Sequence, residues 1–296
     1  MTKTTTLQQK GYVNVSKTST PINIYYEMHG TGPQKVLLVT GLSTPCHAWE
    51  KQAEFLSQTE KYTVILFDNR GMGHSDAPWG LYSTSMMAAD ALVLLDHFDW
   101  KKNVHLVGIS MGGMISLELV DADPDRFCSL TLTSTTAKRN IPTWKAISTL
   151  SKVSLYYKDP MDQVRAIVEL IHPPAWLEKP HPEFETNRKF AAHALISRAR
   201  KSRLQPLHGN IGQTAACLGH YFSDERLAKL KARGLPVLIV TGTIDNLVSP
   251  ESSYHMQSML QARLEVFEGS GHAIPEEQFQ RYNALLEEHF TAASKL

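Results

Sequence analysis

Cysteine is scarce: Cys46, Cys128 and Cys217 are the three in 296 residues. They are widely spaced and odd in number, so neither a disulfide framework nor a zinc-binding pattern follows. A reducing compartment is the natural setting, and Cys128 reads as a core residue of a strand. No apolar run approaches the ~18 residues that a membrane span needs. Residues 1–10 lack an apolar stretch of the signal-peptide kind, so no secretory signal is expected. Net charge is also lacking: 30 Lys and Arg stand against 29 Asp and Glu, a formal +1. That gives no general pull toward nucleic acid or a membrane. The 13 histidines show no ligand spacing, so no metal is expected. Repeats and low-complexity tracts are missing as well.

What remains is an ordinary globular composition, 42% hydrophobic and 20% charged, long enough for one large domain or one domain with an insertion. Polar–apolar alternation over 11–19 and 22–28 reads as an antiparallel pair turned at Thr20-Pro21. Segments at 35–40, 63–67, 104–107, 128–133, 236–241 and 263–268 read as strands, with 35–40 continuously apolar as a strand covered on both faces should be. Helical patterns fall at 45–56, 84–98 and 114–120, and an amphipathic helix closes the chain over 275–292. Strands alternating with helices imply an α/β fold with a mostly parallel, doubly covered sheet. One segment breaks the alternation. From 137 to 212 there are helix-like stretches and proline-rich breaks (Pro173-Pro174, Lys179-Pro180-His181-Pro182) but no strand. That reads as a helical insertion between two strands, which divides the chain into 1–136, 137–212 and 213–296.

The stretch Gly108-Ile109-Ser110-Met111-Gly112-Gly113 lies between a short apolar strand and a helix. A serine at the apex of a tight strand–turn–helix is pushed clear of the sheet, and the flanking glycines let strand and helix cross closely. A serine hydroxyl is not ionised near neutral pH, so it needs a base in reach and an acid to orient that base. In this architecture both belong on loops after later strands, in the order serine, acid, histidine. Asp245 lies in Gly242-Thr243-Ile244-Asp245, just after the 236–241 strand. His272 lies in Gly269-Ser270-Gly271-His272, just after the last strand. Singly, Asp245 could cap a helix and His272 could be a surface residue. In this order with an elbow serine they read as a triad.

Together these motifs resemble the α/β-hydrolase superfamily over nearly the whole chain. Asp68-x-Arg70-Gly71-x-Gly73-x-Ser75 matches a loop common after an earlier strand in that family, and the 137–212 insertion corresponds to its cap. The Ser-Met-Gly-Gly elbow is similar to those of esterases, lactonases and cofactor-free perhydrolases. It differs from the epoxide hydrolase and haloalkane dehalogenase branches, which place an aspartate there. The family often has His-Gly after the first buried strand, where this chain has Thr40-Gly41. The resemblance still implies the backbone N–H groups of Leu42 and Met111 as an oxyanion hole, because backbone donors do not depend on the side chain. It also implies two-step acyl transfer. Ser110 attacks a carbonyl, His272 moves the proton, Asp245 orients the imidazole, and water releases the acyl group. No cofactor is implied. His74 reads as structural.

The expected activity is that of a serine hydrolase acting on a carboxylic ester, lactone or thioester, with a lipid-derived substrate favoured. Carbon–carbon bond hydrolysis or perhydrolysis on the same triad, and a non-catalytic ligand-binding protein on the same fold, are the alternatives. Residues 137–205 carry 13 basic and 6 acidic residues, densest at Arg198-x-Arg200-Lys201-x-Arg203. A solvated helix face explains this, and attraction of an anionic acyl substrate is the sharper reading. Trp144, Tyr156, Tyr157 and Trp176 either line an apolar acyl pocket or pack the insertion. Ser294-Lys295-Leu296 matches a peroxisomal address, which implies the import receptor as a partner; without it the expected location is cytoplasmic. Oligomeric state is not legible.

Overall fold

The computed structural model describes residues 6–295. Leu296, the last residue of the expected peroxisomal address, lies outside the described residues. The chain begins with β1 (Leu7–Asn14), β2 (Asn23–His29), β3 (Gln34–Val39), a single 3-10 turn (Cys46–Trp49), α1 (Glu50–Gln58) and β4 (Tyr62–Phe67). It continues through α2 (Thr84–His97), β5 (Val104–Ile109), α3 (Met111–Ala122) and β6 (Phe127–Thr133). Then come α4 (Trp144–Leu155), α5 (Pro160–Ile171), α6 (Pro174–Leu177), α7 (Asn187–Arg200), α8 (Leu207–Gly219) and α9 (Asp224–Ala232). It ends with β7 (Val237–Gly242), α10 (Pro250–Leu260), β8 (Arg263–Phe267), α11 (Ile274–Glu277) and α12 (Phe279–Ala293).

The strands form one eight-stranded sheet in the order β1-β2-β4-β3-β5-β6-β7-β8. β1–β2 and β2–β4 pair antiparallel, and the remaining pairs are parallel. The register sets Leu37 opposite Ile65 on one side and Leu106 on the other. Both faces of the central strands are buried, which explains the apolar runs of β3 and β4, while β6 also buries Ser129, Thr131 and Thr133. Leu37, Val39, Ile65, Leu106, Leu130 and Ile239 pack against residues of α2, α3, α9 and α10. Val36, Leu38, Val64, Leu66, Val107, Leu238 and Val240 face α1 and α12, including Leu56, Tyr282, Leu286 and Phe290. Each fully buried side chain of this size contributes roughly 1.5–3 kcal/mol.

Expected elements differ in detail, among them the first strand, which spans Leu7–Asn14 rather than 11–19. The closing helix is broken at Gln278, whose φ −127° and ψ 43° are not helical, so α11 ends as a separate turn before α12. Between β6 and β7 the chain is helical with no strand, as the pattern implied. The division drawn at 212 lies within α8, which runs over Leu207–Gly219. The helices α5, α6 and α7 share a small core of their own, Val168, Leu177 and Ala191.

Candidate active site

Ser110 sits directly beyond β5 at φ 56° and ψ −124°, a strained conformation for a residue with a Cβ. Its neighbours make the turn possible by lacking side chains. A Cβ on Gly108 would lie 2.4 Å from the Gly112 carbonyl oxygen, and one on Gly112 would lie 2.2 Å from the Val39 carbonyl oxygen. The turn is held by its backbone. Ser110 N–H donates to the Thr133 carbonyl at 3.0 Å, and the Ser110 carbonyl accepts from the Thr135 hydroxyl at 2.7 Å. Thr135 was not legible as a site residue; the sequence offered only a polar run after β6. Ser110 is left half-buried at the start of α3, whose N-terminal amides and dipole favour negative charge beside it.

The loops after β7 and β8 bring Asp245 and His272 together. His272 Nδ1–H donates to Asp245 Oδ2 at 2.7 Å. The other carboxylate oxygen accepts from the Leu247 and Val248 N–H groups at 2.8 and 3.0 Å, so the acid is fixed before it meets the imidazole. Its side chain is fully buried. Ile244 N–H donates to the Ser270 carbonyl at 2.9 Å and ties the two loops to each other. With Nδ1 engaged by Asp245, Nε2 is the nitrogen left for proton exchange.

The histidine loop is gripped from two more sides, neither of which the sequence indicated. The Ile171 carbonyl, at the end of α5, accepts from His272 N–H at 2.9 Å and from Ala273 N–H at 3.3 Å. Both Glu277 carboxylate oxygens accept from Gly271 N–H, at 3.1 and 3.0 Å. Burial pushes the Glu277 carboxyl up to about 7, even though His172 and the Gly271 N–H pull it down. Its neighbour Glu276 behaves oppositely. It pairs with Arg198 of α7 and lies 3.2 Å from His172 Nε2. Burial opposes ionisation, but Arg198 and His172 outweigh it and hold the carboxyl down to about 2. Both acids stand on the short turn α11, which ends at the non-helical Gln278.

Opposite them, the turn that carries Leu42 passes against the serine. A Cβ on Gly41 would lie 3.1 Å from Ser110 Cβ. Met111 opens α3 as its first residue, where amides have no partner within the helix. The Asp68–Ser75 loop is structural support. Asp68 accepts from the Cys46 and His74 N–H groups at 2.7 and 2.8 Å, and Arg70 forms a buried two-point pair with Asp90 at 2.5 Å. His74 packs on Tyr25 and contacts the Lys201 carbonyl.

The pocket-lining expectation for Trp144 and Tyr156 is corrected. They are 81% and 74% exposed: Trp144 stands on the face of α4 opposite the buried Ala146, and Tyr156 follows the end of that helix. Trp176 stacks on His172, with ring centroids 4.8 Å apart. The basic cluster is partly spent within the molecule: Arg198 pairs with Glu276, and Lys201 pairs with Glu50 at 2.6 Å. Cys128 is half-buried on β6, 3.4 Å from His105 Nδ1, rather than fully within the core.

An eight-stranded, doubly covered sheet with a strained serine after β5 and an Asp–His pair after β7 and β8 defines the class of α/β hydrolases. The family model for the alpha/beta hydrolase fold matches residues 35–279, and the chain belongs to that family. Over 253 residues it is 27% identical to a protein named as the carbamate hydrolase RutD of Azorhizobium caulinodans, covering 85% of this chain and 88% of that one. It is 26% identical over 273 residues to 3-oxoadipate enol-lactonase 2 of Acinetobacter baylyi, covering 91% and 94%. A thermophilic esterase from Thermogutta terrifontis shares the fold with a TM-score of 0.75 at 24% identity, covering 97% of this chain and 99% of that one.

Proposed function

We propose that the protein is a serine hydrolase that cleaves carboxylic esters, lactones and thioesters included, through an acyl-enzyme on Ser110. The observation that carries this reading is the 2.7 Å His272–Asp245 hydrogen bond at the end of the sheet where the strained Ser110 turn stands. In the first step His272 Nε2 takes the Ser110 hydroxyl proton while Oγ bonds to the carbonyl carbon. The carbonyl oxygen becomes an oxyanion facing the Leu42 and Met111 N–H groups, each worth a few kcal/mol in the transition state. Asp245 steadies the imidazolium. His272 then delivers the proton to the departing alkoxide or thiolate. In the second step a water molecule gives its proton to His272, adds to the acyl carbon, and releases the acid with Ser110 restored. The enol-lactonase named above opens an ester within a ring, which supports placing lactones within the range. The helices between β6 and β7 act as a cap, supported by the bond from His272 N–H to the Ile171 carbonyl. A lipid-derived acyl group is the favoured substrate class.

The test is covalent labelling with a fluorophosphonate probe, followed by a screen of esters, lactones and acyl-CoA thioesters. The wild type is expected to label at Ser110, and Ser110→Ala and His272→Ala are expected not to. A wild type that neither labels nor turns over any ester refutes the reading.

A further inference from the structure

The peptide unit that follows the Leu42 amide is locked at both ends. Its carbonyl, on Leu42, accepts from the Thr44 hydroxyl at 3.0 Å. Its N–H, on Ser43, donates to Gln213 Oε1 at 2.9 Å. Ser43 is held at φ 53°, in the left-handed region that a serine does not adopt without support. Gln213 stands on α8 and is fully buried. Its Nε2 donates to the Arg70 carbonyl at 2.9 Å, and its Oε1 also accepts from Gln205 Nε2 at 3.1 Å. One turn earlier on α8, Asn210 Nδ2 donates to Ser43 Oγ at 2.8 Å.

The helix comes this close because two of its residues have no side chain. A Cβ on Gly209 would lie 2.5 Å from the Gly71 carbonyl oxygen, and one on Gly212 would lie 2.6 Å from the Tyr82 ring. On the other side of the turn, the Thr40 carbonyl accepts from Asn69 Nδ2 at 3.2 Å. Thr40 itself brings no imidazole to brace the turn, so the bracing comes from α8 and Asn69.

We propose that Gln213 is the positioning residue of the oxyanion turn: by accepting the Ser43 N–H it fixes the Leu42–Ser43 peptide and aims the Leu42 N–H at the oxygen that becomes negative. The inference rests on the reading of Ser110 as an acyl-transfer nucleophile. A backbone donor accelerates a reaction only when its direction is set before charge develops. A displacement of about 1 Å at such a donor can cost a hundredfold in rate.

The test compares p-nitrophenyl acetate hydrolysis by the wild type, Gln213→Leu and Gln213→Glu, with active sites counted by complete fluorophosphonate titration. Gln213→Leu is expected to lose ten- to hundredfold in kcat per titrated site with KM within about twofold, the signature of a lost transition-state interaction. Gln213→Glu keeps an oxygen toward Ser43 and gives up the Arg70 bond. It is expected to stay within about threefold of the wild-type kcat. Amide exchange on the unaltered protein keeps the inference testable if a variant does not fold: the Ser43 N–H, on an exposed residue, is expected to exchange at least about a hundredfold below its free rate. An unchanged kcat in Gln213→Leu, a glutamate variant as slow as the leucine variant, or an unprotected Ser43 amide overturns the inference alone. A wild type with neither labelling nor turnover overturns the reading beneath it as well.

Discussion

Replacing Glu277 with glutamine removes a charge and keeps the shape. The glutamine oxygen can still accept from Gly271 N–H, so the consequence is almost purely electrostatic. Burial raises this carboxyl from an ordinary 4.5 to about 7, against the pull of His172 and the hydrogen bonds from Gly271 and Ser270, and with Glu276 adding to the rise. A group whose folded pKa lies above its unfolded one binds its proton more tightly in the folded state. Its favourable contribution is therefore complete below pH 4.5 and is lost as pH rises through about 7. At 1.36 kcal/mol per unit, ionised Glu277 costs the folded state about 3 kcal/mol above pH 8, relative to acid conditions. Glu277→Gln does not incur that cost. Urea unfolding of wild type and variant across pH 4.5 to 8.5 is the assay. The variant is expected to gain on the wild type steadily as pH rises, reaching a plateau above pH 8. Glu276→Gln supplies the opposite case, because Arg198 and His172 hold that carboxyl down to about 2. Its charge stabilises the fold above pH 4.5, and the benefit fades only as pH falls toward 2, so that variant is expected to be weaker throughout the same range. A Glu277→Gln difference that does not change with pH would refute the reasoning.

Other changes test other parts of the molecule. Asp245→Asn is expected to lower kcat by about 10⁴ in ester hydrolysis, because an amide favours the wrong imidazole tautomer; steady-state kinetics per titrated site would measure this. Arg70→Leu leaves Asp90 buried and unpaired, so unfolding free energy should fall by about 3–5 kcal/mol in a denaturant titration, with Arg70→Leu/Asp90→Leu recovering much of it. Gly112→Ala brings a methyl group to 2.2 Å from the Val39 carbonyl oxygen, and should lower both the melting temperature and Ser110 labelling.

Much of this fold is written locally. The six segments became β3 to β8 within a residue or two, and β3 and β4 are mostly apolar where they are buried, as strands covered on both faces tend to be. The elbow was legible for the same reason: its glycines answer to contacts within the motif or with the adjacent strand. Asp245 and His272 follow their strands directly, so chain order alone nominated them, and the structure brings them within one hydrogen bond. What escaped reading depends on distant partners. Gln213 meets Ser43 across 170 residues and Arg70 across 143, and a lone glutamine in a helix gives no sign of either. Trp144 and Tyr156 misled because aromatic residues at helical spacing do not say which face a helix will bury. The single closing helix also failed to materialise, since the backbone leaves the helical region at Gln278, and no residue type at that position announces it.

The Ile171 carbonyl holds two successive amides of the loop that bears the imidazole. The contact is made by backbone, so almost any residue could stand at 171. The distance along the chain from α5 to Pro173 could not change in the same way. A one-residue deletion between 168 and 173 would rotate that oxygen away and leave the loop to find another anchor. A foreign helical segment grafted into this chain is therefore expected to need that short joint at the same length, whatever its residue types.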